Sequence, residues 1–349
     1  PSRTAKIVPQ GPNILNVKRQ PADIARVTGQ PVERVEQIVE RSRQLLFAAR
    51  ARRPRPDLDD KVLVAWNGMA LRAFAQAADA LGRDDYREVA RQNAEFLLRE
   101  LRSKDGTLLR AWRRGPGARD QGSGMAPTPD PRPPTPGFLE DHALLADGLL
   151  ALYEATFEPR WLLSARALAD SMLARFWDDA IGGFYDTAAG HEALVVRPRD
   201  TGDNATPAGN SAAADVLLRL AAIFDDATYR ARAETVLGGM ASLMARYPTG
   251  FGRYLAAAEF ALAAPKEIAL VGEPNAPDTL ALREAIFRPF LPNKVVLLRR
   301  PDEDPPAIAS PLLEGRAQID GRATAYVCEH YVCQLPVADP AALAEQLRS

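Results

Sequence analysis

Asp59-Asp60-Lys61-Val62-Leu63-Val64-Ala65-Trp66-Asn67-Gly68 is the stretch from which the architecture can be read. A charged turn runs into an apolar segment, and Trp66 opens a nearly all-apolar helix that continues to Leu81 and closes at Gly82. Asp84 or Asp85 is expected to cap a second helix, in which Tyr86, Val89, Ala90, Leu97 and Leu101 form one stripe. A helix that is hydrophobic all round has to be buried, and a one-striped partner covers it from outside. The same unit then recurs. Leu139–Phe157 is again apolar nearly all round, and the helix after it carries Trp161, Ala165, Leu168, Ala169, Met172, Leu173 and Phe176. Ser211–Phe224 begins the third pair, and Tyr229, Ala233, Val236, Leu237, Met240, Leu243 and Met244 complete it. The aromatics that open the three outer helices, Tyr86, Trp161 and Tyr229, lie 75 and 68 residues apart. Glycine turns follow each pair at Gly106, Gly182-Gly183 and Gly250-Phe251-Gly252. Inner and outer helices repeating at a near-fixed period predict a mainly α fold, an α/α toroid.

The remaining segments fall outside this pattern. Residues 1–56 read as an irregular segment and a helix, with Pro31 in its first turn and Val32, Val35, Ile38 and Val39 at helical spacing. Its glutamates come early and its arginines late, which complements the helix dipole; a solvated helix end suits those arginines better than a phosphate site. Residues 57–264 are assigned to the helix pairs. Within them residues 115–137 hold seven prolines and five glycines and read as a long surface loop. Residues 265–349 read as a small α/β part, with strands at 267–272 and 294–298 and a helix over 278–287. No glycine-rich phosphate loop accompanies this βαβ-like piece, so no nucleotide cofactor is expected.

A net charge of −1 over 349 residues gives no reason to expect nucleic acid or an anionic membrane as partner. The sequence has no apolar run long enough to span a bilayer and no signal-peptide pattern. It begins at Pro1, so a piece of a longer chain is expected. Cys328 and Cys333, with four residues between them rather than the two of a CxxC motif, read as packing cysteines on strand-like backbone. With His330 they supply three zinc donors, one short of a closed site, so no metal is expected. A reducing, cytoplasmic location is the simplest expectation from so few cysteines.

Inner helices of a toroid start at one rim, so the residues at their starts face one funnel. Those residues are Trp66-Asn67, Glu140-Asp141-His142 and Asn210-Ser211. Glu140, Asp141 and His142 are the candidate acid–base groups, since a funnel carboxylate beside an imidazole suits proton transfer on a sugar or polyol. They can equally be read as two helix-capping carboxylates and a hydrogen-bonded core histidine. Trp66 and Asn67 suit stacking on a ligand and bonding to it, or else core filling and helix capping. Tyr185, Asp203 and Asn210 complete the candidate ligand contacts, with Asp186 on the same rim.

The motifs Asp59-Asp60-Lys61…Trp66-Asn67-Gly68, Phe138-Leu139-Glu140-Asp141-His142, Gly182-Gly183-Phe184-Tyr185-Asp186 and Pro207-Ala208-Gly209-Asn210-Ser211-Ala212-Ala213 resemble one family. It is that of the thioredoxin-domain-containing proteins related to the spermatogenesis-associated protein. Pro265-Lys266-Glu267-Ile268 and Ala325-Tyr326-Val327-Cys328 are similar to its C-terminal end, so the likeness runs over essentially the whole chain. The resemblance implies an N-terminal thioredoxin-like domain followed by an (α/α)6 toroid similar to N-acylglucosamine 2-epimerases and six-hairpin glycosidases. This chain would then be a partial toroid, about the second half, with the missing toroid half and the thioredoxin-like domain as its partners. A carbohydrate-like ligand and epimerase- or isomerase-type proton transfer are what that fold implies. A scaffold presenting the thioredoxin-like domain to client proteins is the alternative.

Overall fold

A computed structural model describes residues 18–54, 59–103, 106–113, 135–190, 195–303 and 305–348. Most of the loop expected over 115–137 therefore lies outside the described residues. The chain divides into two compact units. The first carries α1 (Pro21–Thr28) and α2 (Val32–Ala51), which pack on each other through Ala25 and Val35. Pro31 precedes α2 as its N-cap, with Glu33 in the first turn and Arg50 in the last.

In the second unit β1 (Val62–Leu63) leads into α3 (Val64–Leu81), and α4 (Asp84–Glu100) follows. Then come β2 (Ala111–Trp112), antiparallel to β1, and the pair α5 (Leu139–Thr156) and α6 (Pro159–Arg175). A small ribbon of β3 (Trp177–Asp178) and β4 (Gly183–Phe184) precedes α7 (Gly209–Phe224) and α8 (Ala227–Arg246). A further helix, α9 (Gly252–Leu262), ends the helical series. Helices α3, α5, α7 and α9 pack each on the next, while α4, α6 and α8 back their partners from outside. Every residue from Asp141 to Tyr153 and from Ala208 to Leu218 is buried, as all-round apolar helices require. This is the mainly α, toroid-type architecture, with four inner helices among the described residues.

The local chemistry explains the breaks. Helices α3, α5 and α7 close through left-handed residues, Gly82, Phe157 and Asp225. Asp226 caps α8 by accepting from the Thr228 and Tyr229 N–H groups. The cap expected from Asp84 or Asp85 is not formed: α4 starts at Asp84 after Arg83, and Arg83 holds the Asp85 carboxylate at 2.6 and 2.7 Å. The glycine turn at 250–252 also proves to be the start of α9, whose Tyr254, Ala257 and Phe260 are buried at helical spacing.

The α/β part adds β5 (Lys266–Val271), α10 (Pro277–Phe287), β6 (Lys294–Arg299), β7 (Thr324–Glu329), β8 (Val332–Cys333) and α11 (Pro340–Gln346). Its sheet runs β6-β5-β7-β8, with β5 and β6 parallel across α10 and the other pairs antiparallel. It is joined to the helices by hydrogen bonds from the Tyr331 hydroxyl to Ala222 O (2.8 Å) and from Arg219 to Lys294 O (3.2 Å). The cysteines correct an expectation. Cys328 and Cys333 are joined in a disulfide rather than packed as separate thiols. They are direct cross-strand partners in the β7–β8 hairpin, whose turn, His330-Tyr331, has both residues at positive φ. A two-residue hairpin turn, not a CxxC motif, is what brings a five-residue separation face to face.

The α3–α5 contact sets the spacing of the rim. A Cβ on Gly68 would stand 2.5 Å from Leu144 O, and one on Gly148 would stand 2.6 Å from Gly68 O, so the two backbones touch. Among the described residues no helix is long and apolar enough to cross a membrane. In urea unfolding, Gly68→Ala and Gly148→Ala should each lose about 1–3 kcal/mol through overpacking, despite alanine's better helix propensity. Gly238→Ala in α8, where a Cβ meets nothing within 4 Å, should instead gain about 0.5–1 kcal/mol.

Candidate functional site

The starts of the inner helices are knitted together by side chains from the predicted set. Asp141 Oδ2 accepts from the Phe138 N–H at 2.8 Å, and Oδ1 accepts from the Ala65 N–H at 3.1 Å, so one carboxylate serves the starts of α5 and α3. Arg110 Nη1 lies 2.8 Å from Glu140 Oε1 and 3.4 Å from Asp141 Oδ2, with its guanidinium over the Phe138 ring. The Leu139 N–H donates to Asp186 O at 2.9 Å, which places β4 and its following residues on the same rim. Asn210 pairs with the Phe184 backbone through both ends of its amide, at 3.0 Å each. Asp203 accepts from Ala208 N–H, Ser211 Oγ, Arg253 N–H and Tyr254 N–H, binding the start of α7 to that of α9.

Three of these residues face solvent. Trp66, in the first turn of α3, is 62% exposed, so the core-filling reading does not hold. Helix α3 begins two residues before it, which turns the indole outward. Asn67 is not the N-cap; its Nδ2 donates to Leu63 O at 2.9 Å. The side chains of Glu140 and Arg110 remain 33% and 31% exposed. Tyr185 is half-buried beneath the Arg197 guanidinium, 4.0 Å from its ring centre.

Burial sets the proton states beneath this surface. The Asp141 carboxyl is pushed up to about 6 by burial, against its bond from Phe138 and the charge of Arg110, so it is ionised at neutral pH. The His142 imidazole is pushed down to about 4, again by burial. It is neutral at pH 7, with Nδ1 2.9 Å from Phe138 O and therefore assigned the proton, and its ring meets Phe176 edge-on. Asp186 is raised by burial and by the neighbouring charges of Asp200 and Glu140. Glu140, Asp141, Asp186 and Arg110 thus come together. His142 points into the interior, Asn210 is taken up by the Phe184 backbone, and Asp203 is taken up by three backbone N–H groups and the Ser211 hydroxyl.

One or two turns below lies a network that the sequence reading did not single out. Asp147 Oδ2 is 2.7 Å from both Arg72 and Arg253, and Asp215 is 2.5 Å from Arg253 and 3.1 Å from Arg219. Burial raises the Asp147 carboxyl, opposed by Arg72. The signal was present: Asp147 and Asp215 are carboxylates set among apolar residues in the middle of largely apolar helices, eight and six residues past the helix starts at Leu139 and Gly209. A small cavity adjoins it, with Arg72, Gln76, Asp147, Glu154 and Arg219 on one side and Leu150, Ile223 and Val295 among its apolar lining. Among the described residues no group of three His, Cys, Asp or Glu is placed to hold a metal ion.

No family model matches the chain. Among solved structures it is similar to D-mannose isomerase (14% identity, TM-score 0.39), over 54% of this chain and 42% of that one. It is also similar to the cellobiose 2-epimerase of Spirochaeta thermophila (20% identity, TM-score 0.38), over 55% of this chain and 45% of that one. Among curated proteins it is 35% identical to spermatogenesis-associated protein 20 of Homo sapiens over 352 aligned residues. That alignment takes in 99% of this chain and 44% of the human protein, so the chain spans less than half the length of the curated homologues it matches.

Proposed function

We propose that the rim of the inner helices binds a carbohydrate-like ligand and that Glu140 is its proton-transferring carboxylate. The observation that carries this is the half-open Glu140–Arg110 pair, on the α5 side of the same Asp141 bond whose α3 side bears the exposed Trp66. An indole held out of the core at a helix start forfeits on the order of 1–2 kcal/mol of burial, which stacking of a sugar face recovers. Arg110, 2.8 Å from Oε1, holds the Glu140 carboxylate toward the ligand and leaves Oε2 to meet it. Asp141 and His142 act as positioning residues in this reading, fixing the start of α5. Asn67, Tyr185, Asp203 and Asn210 shape and brace the rim. Epimerase- or isomerase-type chemistry would then use Glu140 to take up and return a proton on carbon.

A second reading, a non-catalytic scaffold, is favoured by the way Arg72, Arg219 and Arg253 already fill the inner face with ion pairs to Asp147 and Asp215. In it the helices would present a thioredoxin-like domain carried elsewhere on a longer chain.

Thermal unfolding against a panel of mono- and disaccharides separates the two. A bound sugar at about ten times its Kd should raise the midpoint by on the order of 2–4 °C. Glu140→Gln and Trp66→Ala should abolish that rise without lowering the unliganded midpoint by more than a degree or so. A panel that shifts nothing supports the scaffold.

The positioning pair has its own signature in pH. His142 is held below its ordinary range, so the stability it contributes is present above about 6.5 and is lost as pH falls toward 4. Asp141 is held above its ordinary range, so its carboxylate form costs stability at neutral pH, and this cost is relieved as pH falls through 6 toward 3.8. Each amounts to about 3 kcal/mol, and the two nearly cancel. Asp141→Asn should therefore lose about 3 kcal/mol more than the parent between pH 7 and 4 in urea unfolding. His142→Gln should show the opposite slope.

A further inference from the structure

The disulfide hairpin lies outside the site just described, and its surroundings have the asymmetry that thiol–disulfide exchange requires. Cys328 is 1% exposed on β7, whereas Cys333 on β8 is partly open to solvent. Arg316 approaches from the loop before β7. Its Nη2 is 2.8 Å from Cys333 Sγ and 3.8 Å from Cys328 Sγ. Its Nε is buried without a hydrogen-bond partner, and among the described residues it forms no ion pair. A guanidinium with no carboxylate partner, aimed at one sulfur of a pair, is placed to stabilise a thiolate there.

The scaffold holds this geometry independently of the S–S bond. The Tyr331 N–H donates to Glu267 Oε2 at 2.7 Å, and the Tyr331 hydroxyl donates to Ala222 O at 2.8 Å. Lys266 pairs with Glu329 at the other side of the turn. Cys328 also sits in a full antiparallel ladder with β5. The bond closes a short loop that the hairpin register already closes, so it adds little as a structural staple.

We propose that Cys328 and Cys333 form a redox-active pair that exchanges electrons with external thiols and disulfides, with Cys333 as the attacking sulfur and Arg316 as its activating cation. In the reduced state the Cys333 thiolate attacks one sulfur of an incoming disulfide. A Cys333–S bond forms and the other half leaves as a thiolate. Cys328 then gives up its proton, which goes to the departing thiolate through solvent, and attacks Cys333 Sγ. The Cys328–Cys333 bond forms and the second thiolate leaves. Two electrons pass from the cysteine pair to the incoming disulfide, and the reverse sequence reduces the pair at the expense of two thiols. Val332 and Leu335, close to Cys333 in sequence, are both exposed.

The test is the rate of iodoacetamide alkylation against pH, measured on the reduced protein and on Cys328→Ser, with equilibration in reduced and oxidised glutathione alongside. Cys333 should alkylate with a midpoint at least one pH unit below the ordinary thiol value of about 8.5. Arg316→Gln should move that midpoint up by about a unit while leaving the circular dichroism spectrum unchanged, a shift that a purely structural arginine would not produce. Cys328→Ser should trap a glutathione adduct on Cys333, and Cys333→Ser should trap at least tenfold less on the buried Cys328. The proposal is overturned by a midpoint at or above 8.5 in the reduced native chain, or by a midpoint that Arg316→Gln leaves in place. A pair that dithiothreitol cannot reduce in the folded protein also overturns it. Should Arg316→Gln fail to fold, the alkylation profile of the native chain decides alone.

Discussion

One buried carboxylate holds the upper end of the structure together. Asp141 takes the free N–H of Phe138 at the start of α5 and that of Ala65 at the start of α3. Those donors have no partner within their own helices, and burying them unmet would cost more than the hydrogen bonds return. The arrangement makes the carboxylate part of the backbone accounting of two helices. It also explains why an acid can sit at 1% exposure without a full ion pair: N–H dipoles, with Arg110 at 3.4 Å, do the work of a counter-charge.

The helix pairs were legible because burial on all sides leaves a pattern that survives in composition alone. Alternation of all-round and one-striped helices located α3 to α8, and strand-like apolar runs located β5 and β6. Where polar groups decided the outcome, the sequence was less informative. Whether Trp66 faces the core or solvent depends on where α3 begins, a matter of two residues. Glu140, Asp141 and His142 are consecutive, so a helix must turn them in different directions. Only the fold shows that Glu140 faces the open rim while the other two are inside. The cysteine pair was misread for a similar reason: its link depends on strand register, and register is not visible in a spacing.

The inner network was overlooked because each member looks ordinary in isolation. Asp147 and Asp215 acquire meaning from Arg253, which lies on a helix that the glycine-rich turn concealed. Three arginines are gathered around Asp147 and Asp215, with Glu154 as a third carboxylate beside Arg72 and Arg219. Buried ion pairs of this kind contribute little net stability over apolar packing, because desolvation offsets most of the Coulomb attraction. Their effect is directional: the four inner helices α3, α5, α7 and α9 are held in one angular arrangement by bonds that tolerate little displacement.

The contact between Gly68 and Gly148 has a consequence for distance. Two backbones in van der Waals contact cannot slide past one another without lifting apart, so the register of α3 against α5 is locked where Gly68 meets Leu144. At about 1.5 Å per residue, Trp66 stands roughly 3 Å along its helix from that point and Glu140 roughly 6 Å along its own. The glycine joint thus acts as a ruler: it keeps the Glu140 backbone about 3 Å, two residues of helical rise, further from the joint than the Trp66 backbone, however the surrounding side chains are exchanged.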